Sequence, residues 1–172
     1  MKHKVIDNFL DEEYFNSLEN LFIDKKNTVN VIMPWFFKKA VANDLVENNI
    51  FYMTHTLYEL NEPQSEFYEN LIPLLKKLDV KCLIRMVANF FPNTHIIHEH
   101  PMHADFTFLH SGAILSLNTC DGYTKLKDGI KIDSIANRLL KFDSSEEHCS
   151  TTTTNIHARI NIVINYIQEQ QG

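Results

Sequence analysis

Apolar positions in the first eighty residues recur mainly at spacings of three and four, whereas from Lys81 onward they recur mainly at two. Asp11-Glu12-Glu13 opens an amphipathic stretch in which Tyr14, Leu18, Leu21 and Phe22 share a stripe, and acidic residues there suit the positive end of a helix dipole. A second helix is expected over 64–78, with Phe67, Leu71, Leu74 and Leu75 on its apolar face and Lys76-Lys77 near its end. Residues 24–62 read as irregular, with an aromatic cluster at Pro34-Trp35-Phe36-Phe37 and a polar run from Asn43 to Asn49. Val5 and Ile6 suit a short edge strand ahead of the first helix.

Past Lys81, short β-branched and aromatic runs are separated by turn signals at Pro92-Asn93, Gly112, Asp121-Gly122, Asp128-Gly129 and Asp143-Ser144-Ser145. Strands are expected near 82–91, 96–99, 103–108, 113–118, 122–126, 130–132, 138–142, 147–151 and 157–167. Such a series suits an antiparallel sandwich or barrel, with the helices covering one face. Strand alternation puts Arg85, Val87, Asn89 and Phe91 on one face, and Ile84, Met86, Ala88 and Phe90 on the other. In the last strand Arg159, Asn161, Val163 and Asn165 oppose Ile160, Ile162, Ile164 and Tyr166. Each strand thus has an apolar face for the helices and a partly polar one, and a polar barrel interior calls for a ligand. The expected architecture is a single α+β domain over 1–172, with helical support in 1–80 and a β core in 81–168.

Composition narrows the function. A chain of 172 residues with 44% hydrophobic and 22% charged residues has a globular balance. No apolar run approaches the roughly 20 residues that span a bilayer, and the charged N-terminus lacks a signal-peptide core, so a cytoplasmic protein without membrane contact is expected. Sixteen basic against 22 acidic residues give a net charge of −6, which argues against nucleic acid as a partner. Three cysteines without CxxC spacing fit neither a disulfide framework nor a thiolate zinc site. Oligomeric state is not legible.

Nine histidines are present, and His95, His98, His100, His103 and His110 crowd one segment. In His103-Ala104-Asp105, residues i and i+2 of a strand would point the same way, so imidazole and carboxylate could converge on one ion. An HxD triplet arises by chance about half a time in a chain of this composition, so it needs partners downstream. His148 would complete a two-histidine, one-carboxylate facial triad of the non-haem Fe(II) kind, which leaves coordination positions open. Arg159, eleven residues later on the polar face of the last strand, could clamp a carboxylate bidentately.

This ordered set resembles the Fe(II)- and 2-oxoglutarate-dependent oxygenases over nearly the whole chain. KVIDNFLDEEYFNSLENLF is similar to the N-terminal segment of their prolyl-hydroxylase-like branch. LIRMVANFFP, HADF, LNTCDGYTKLKDG, NRLLKFDSSEEH and RINIVINY are similar to its core. The likeness is strongest to small oxygenases encoded by bacteriophages, which would place the protein in a host cytoplasm. The resemblance implies a double-stranded β-helix (a jelly-roll, cupin-like fold) and a dioxygenase that hydroxylates its substrate and releases succinate and CO₂. It implies His103, Asp105 and His148 as iron ligands and Arg159 as the anchor of the distal 2-oxoglutarate carboxylate, with O₂ as oxidant and ascorbate as an auxiliary reductant. The substrate class stays open between a small molecule and a protein side chain. Prolyl 4-hydroxylases carry a lysine where this chain has Arg159, which speaks against a prolyl substrate, and the intact Asp105 favours hydroxylation over halogenation.

Further candidates follow from position. Asn89 and Arg85 share the polar face of the first core strand and could bind cosubstrate or substrate; Asn118 ends a strand and could do the same. Tyr123 stands where relatives have a second glycine, so its phenol could enter the cavity or cover its mouth. Trp35 could wall a substrate groove or belong to the core. His98-Glu99-His100 with Asp105 and Gly112 loosely fits a first cupin motif, although the glycine that precedes that motif and its second half are missing; otherwise His98 and His100 belong to the rim or support the ligands. His157 rivals His148 but lies two residues from Arg159, too near for a cosubstrate stretched between iron and anchor. A non-catalytic barrel that binds a metabolite or protein is the alternative from another class.

Overall fold

Asp11 starts the first helix by accepting a hydrogen bond from the Tyr14 amide at 2.9 Å, and Glu12 and Glu13 occupy the first turn. The computed structural model describes residues 3–23, 33–41 and 50–168. In chain order these form β1 (Lys4–Ile6), α1 (Glu12–Phe22), β2 (Phe36–Lys38), β3 (Tyr52–Glu59), β4 (Glu62–Pro63), a 3₁₀ helix (Glu66–Leu71), α2 (Ile72–Leu78), β5 (Cys82–Pro92), β6 (Ser111–Ser116), β7 (Tyr123–Leu126), β8 (Lys131–Asp133), β9 (Leu139–Asp143), β10 (His148–Ser150) and β11 (Ala158–Ile167).

The expected second helix is divided. Pro73 has no amide hydrogen to continue the preceding turn, so the segment begins as a 3₁₀ helix capped by Ser65 and restarts as α2 with proline in its first turn. Asp79, in the left-handed region at φ 58°, ends it by donating its amide to the Leu75 and Lys76 carbonyls.

The larger sheet runs β1-β9-β6-β11-β5-β3-β2, with β4 beside β3, and its pairings are antiparallel. The smaller sheet runs β10-β7-β8. Period-two alternation divides the larger sheet as expected. Met86, Ala88, Leu115, Ile160, Ile162, Ile164 and Tyr166 join Leu18, Phe22, Leu71, Leu74 and Leu78 in one core beneath the helices. The opposite face carries Arg85, Val87, Asn89, Phe91, Asn161 and Val163 and borders a cavity closed on its other side by the smaller sheet. This is the α+β, double-stranded β-helix architecture expected of the sequence.

Two expectations change. Within 24–62, read as irregular, β2 and β3 are ordered strands; β3 (YMTHTLYE) alternates poorly in hydrophobicity because Tyr52 and Thr54 face the cavity rather than solvent. The stretches 24–32 and 42–49, which include the polar Asn43–Asn49 run, lie outside the described residues. The strands expected at 96–99 and 103–108 are instead a loose edge to the smaller sheet, held to β10 and the residues after it by single bridges, Glu99 to Thr151 and His103 to His148. Pro101 cannot donate to a ladder, and beyond His103 the chain turns away.

Candidate functional site

The His103–His148 bridge puts two imidazoles on one patch. Each residue donates its amide to the other's carbonyl at 2.9 Å, and the ring centroids lie 4.9 Å apart. Both rings are oriented alike: His103 Nδ1 meets the Pro101 carbonyl and His148 Nδ1 meets the Glu146 carbonyl, each at 3.1 Å. A carbonyl can only accept, so each Nδ1 carries the proton and each Nε2 keeps its lone pair for a ligand. The Phe142 ring packs edge-on to His148, with centroids 4.8 Å apart.

Asp105 joins them although residues 103–105 do not form a regular strand. Its carboxylate lies 3.8 Å from His103 Nε2 and 3.9 Å from His148 Nε2. One potential ligand atom from each of the three residues falls within 4.8 Å of the others, the only such group among the described residues. Asp105 is turned inward by the Ser144 hydroxyl at 2.6 Å and the Asn165 amide at 2.7 Å, both donating to Oδ2, and by Arg85 Nη2 donating to Oδ1 at 3.2 Å. Burial works against its ionisation, but the Arg85 charge and the Ser144 and Asn165 hydrogen bonds, joined by His148 whenever that ring is protonated, outweigh it and hold the carboxyl below its usual value. Burial pushes His148 below the usual imidazole value despite Asp105, which favours the neutral ring that a metal requires. Donor type, free lone pairs and spacing therefore fit a divalent first-row cation.

Behind this cluster lies Arg159, 1% exposed. Its Nη2 donates to the Thr124 hydroxyl at 2.8 Å and Nη1 to the Thr151 carbonyl at 3.3 Å, while Nε has no partner among the described residues. The guanidinium sits over the Phe91 ring at 5.6 Å. Burial lowers its pKa to about 10, which still leaves it charged at neutral pH. Among the described residues no carboxylate pairs with this buried cation and its Nε–H meets no acceptor, a donor set suited to an anion. Thr124 and Phe91, which both contact it, line the cavity, whose volume is about 410 Å³.

The remaining candidates divide. Asn89 lines the cavity and donates to Asn161 at 3.4 Å; Arg85 lines it as well. Asn118 does not reach it: its amide donates to the Ala158 carbonyl at 2.7 Å and accepts from the Ile160 amide at 2.9 Å, fastening the chain after β6 to β11. Tyr123 points outward, donating to Glu99 at 2.5 Å and accepting from Lys131 at 2.7 Å, because alternation along β7 sends Thr124 to the cavity instead. Trp35 packs between Phe22 and Phe90 on the helix side of the sheet. His98 and His100 stand ring to ring at 5.1 Å, and the three-residue group found among the described residues includes neither. His157 is exposed and is not part of the His103, Asp105 and His148 group. Ser144, Asn165, Thr124 and Tyr52 were not singled out in the sequence, although Asn165 shares the face of Arg159.

No protein-family model matches the chain, and no curated protein matches it by sequence. Solved structures do match. A prolyl hydroxylase of Trichoplax adhaerens, in complex with a hypoxia inducible factor peptide, superposes with TM-score 0.67 at 16% identity, over 96% of this chain and 83% of that one. A 2OG-Fe(II) oxygenase family oxidoreductase of Burkholderia pseudomallei gives 0.68 at 12% identity, over 97% and 85%. The viral collagen prolyl hydroxylase of Paramecium bursaria Chlorella virus-1, in its 2-oxoglutarate complex, gives 0.62 at 11% identity, over 98% and 97%. The chain has the fold of the 2-oxoglutarate- and Fe(II)-dependent oxygenases.

Proposed function

We propose that the protein is an Fe(II)- and 2-oxoglutarate-dependent dioxygenase that hydroxylates its substrate, with succinate and CO₂ as coproducts. The observation that carries this reading is the convergence of His103, Asp105 and His148, with both Nε2 lone pairs free, in a cavity backed by the buried, anion-seeking Arg159. Ferrous iron would be held by His103 Nε2, His148 Nε2 and the Asp105 carboxylate, and when bound with 2-oxoglutarate it would supply the means of activating O₂. The overall reaction consumes one O₂, placing one oxygen atom in succinate and one in the hydroxylated product.

The chain's own residues would do the rest. The Pro101 and Glu146 carbonyls fix the imidazole tautomers, and Ser144 and Asn165 fix the carboxylate. Arg159 and the Thr124 hydroxyl would receive the distal carboxylate of 2-oxoglutarate, with Asn89 and Asn161 on the wall beside it. Val87, Phe91, Ile114 and Val163 make the wall apolar and limit water near the oxidant. The remaining space suits a small molecule or a single protein side chain.

The test is an anaerobic titration of 2-oxoglutarate into the Fe(II)-loaded protein, following the visible charge-transfer band of a chelated keto acid. Arg159→Ala should weaken 2-oxoglutarate about one hundredfold, since charge-assisted hydrogen bonds contribute about 1.5–3 kcal/mol and about 1.4 kcal/mol is tenfold. Metal affinity without cosubstrate should barely change. Equal affinity in both proteins would remove the cosubstrate assignment and leave a metal-binding barrel.

A further inference from the structure

The charges around the cavity do not balance once the proposed ligands are in place, and the surplus sits on Arg85. Among the described residues lining the cavity, Arg85 is the one arginine or lysine and Asp105 the one carboxylate. Arg159 adds a second fixed positive charge behind the wall. A divalent cation and a doubly charged 2-oxoglutarate cancel each other, and Asp105 cancels one arginine. One positive charge remains. With the distal carboxylate on Arg159, and the other carboxylate and Asp105 both on the cation, it falls to Arg85.

Arg85 is held for a partner. Nε donates to the Asn165 side-chain oxygen at 3.3 Å and Nη2 to Asp105 at 3.2 Å, while Nη1 has no hydrogen bond to any described residue. The guanidinium lies over the Phe106 ring at 5.2 Å, and its side chain is 27% exposed, toward the cavity. A cation fixed on a ring with part of its fork free is well suited to a planar carboxylate. Tyr52 and Thr54 border the same space with neutral hydroxyls, so among the described residues no second carboxylate competes there.

We propose that the substrate carries a carboxylate, or an oxyanion of equal charge, that pairs with Arg85 beside the carbon to be oxidised. The inference rests on the function proposed above and narrows its substrate class. A neutral substrate would leave the Arg85 charge uncompensated in a cavity from which it displaces the water.

The anion could belong to a free acid or to an acidic side chain of a peptide, and the test separates them. Protein loaded with Mn(II) and saturating 2-oxoglutarate is mixed with N-acetyl amino acids, with their primary amides, and with a capped aspartyl peptide and its asparaginyl twin. Proton line broadening by Mn(II) reports which probes enter the cavity. Acids should bind about tenfold or more tightly than amides. Arg85→Gln, verified as folded by circular dichroism and measured at saturating Mn(II), should abolish that preference, and Arg85→Lys should retain part of it. Broadening of the free acids alone assigns a small-molecule substrate; broadening of the aspartyl peptide over its twin assigns a side chain. The inference is overturned if no probe pair shows an acid preference in the wild type, or if the preference survives in Arg85→Gln. It is also overturned if Arg85→Gln loses 2-oxoglutarate instead. A wild-type protein that takes up neither Mn(II) nor 2-oxoglutarate overturns the proposed function, and this inference with it.

Discussion

Gly122 lies against Arg159 so closely that a β-carbon on it would stand 2.7 Å from the arginine Cδ, and equally close to the Thr152 carbonyl oxygen. The absence of a side chain at 122 is therefore what gives the buried guanidinium its place beside Thr124. Gly122→Ala should displace Arg159 and cost about 1–3 kcal/mol through overpacking. The expected result is weaker 2-oxoglutarate binding, by tenfold or more, with metal binding largely kept. Calorimetric titration of each ligand, alongside thermal unfolding, checks both parts.

A parallel relationship supports the proposed metal ligands. A β-carbon on Gly112 would meet the Ser144 Cβ at 2.5 Å, and Ser144 is the residue that donates to Asp105. Ser144→Ala and Asn165→Ala should each lower Mn(II) affinity about 10–100-fold, the usual effect of removing a partner that orients a ligand. Neither residue touches the ion in this account, so circular dichroism should stay unchanged. A loss confined to folding, with normal metal affinity in the folded fraction, would assign them to packing alone.

Much of the site was legible because strands alternate. Arg85, Asn89 and Asn161 fall on the cavity face simply by parity with their neighbours in β5 and β11. His103, Asp105 and His148 were found by residue type and order, yet the reason they meet was not the expected one. A single bridge and an inward-turned carboxylate bring them together rather than a continuous strand. Strand β3 was missed because its cavity-facing positions are Tyr52 and Thr54, so burial there leaves no apolar signature. Ser144 and Thr124 were not legible, since nothing in a lone hydroxyl residue distinguishes a ligand's support from an ordinary turn or strand position. Tyr123 and Trp35 were drawn toward the site by their chemistry, while parity and packing send them elsewhere.

Acid stability should report on the turn next to Arg159. Asp121 accepts hydrogen bonds from the Thr153 hydroxyl and from the Thr154 amide and hydroxyl; burial opposes its charge, but these bonds prevail and lower its pKa to about 2. The folded value lies below the unfolded one, so the unfolded chain binds the proton first as pH falls. The stabilisation is therefore complete above the ordinary carboxylate value of 3.8 and is lost progressively as pH drops toward about 2. Partial exposure limits it to about 1 kcal/mol. Denaturant midpoints of wild type and Asp121→Asn should differ at pH 7 and converge near pH 2.

The turn between β3 and β4 offers a gain. Leu60 and Asn61 both have positive φ, 56° and 63°, within a two-residue hairpin closed by the Glu59–Glu62 pair. Leu60 is 81% exposed, so its side chain contributes little packing to offset the left-handed backbone. Leu60→Asn should stabilise the protein by about 1 kcal/mol, which for this size raises the melting temperature by about 2–4 °C. An unchanged or lower melting temperature would show that Leu60 makes a contribution its exposure does not reveal.

Whether His103, Asp105 and His148 hold iron in a site that turns over 2-oxoglutarate is decided by measuring succinate. Purified protein is incubated in air with ferrous iron, ascorbate and 2-oxoglutarate, with and without cell extract as a source of substrate. Succinate and CO₂ should form in equal amounts, dependent on added iron and absent from a folded His103→Ala/His148→Ala variant. A folded wild-type protein that forms no succinate under any of these conditions, or a double variant that forms as much as wild type, would contradict that expectation.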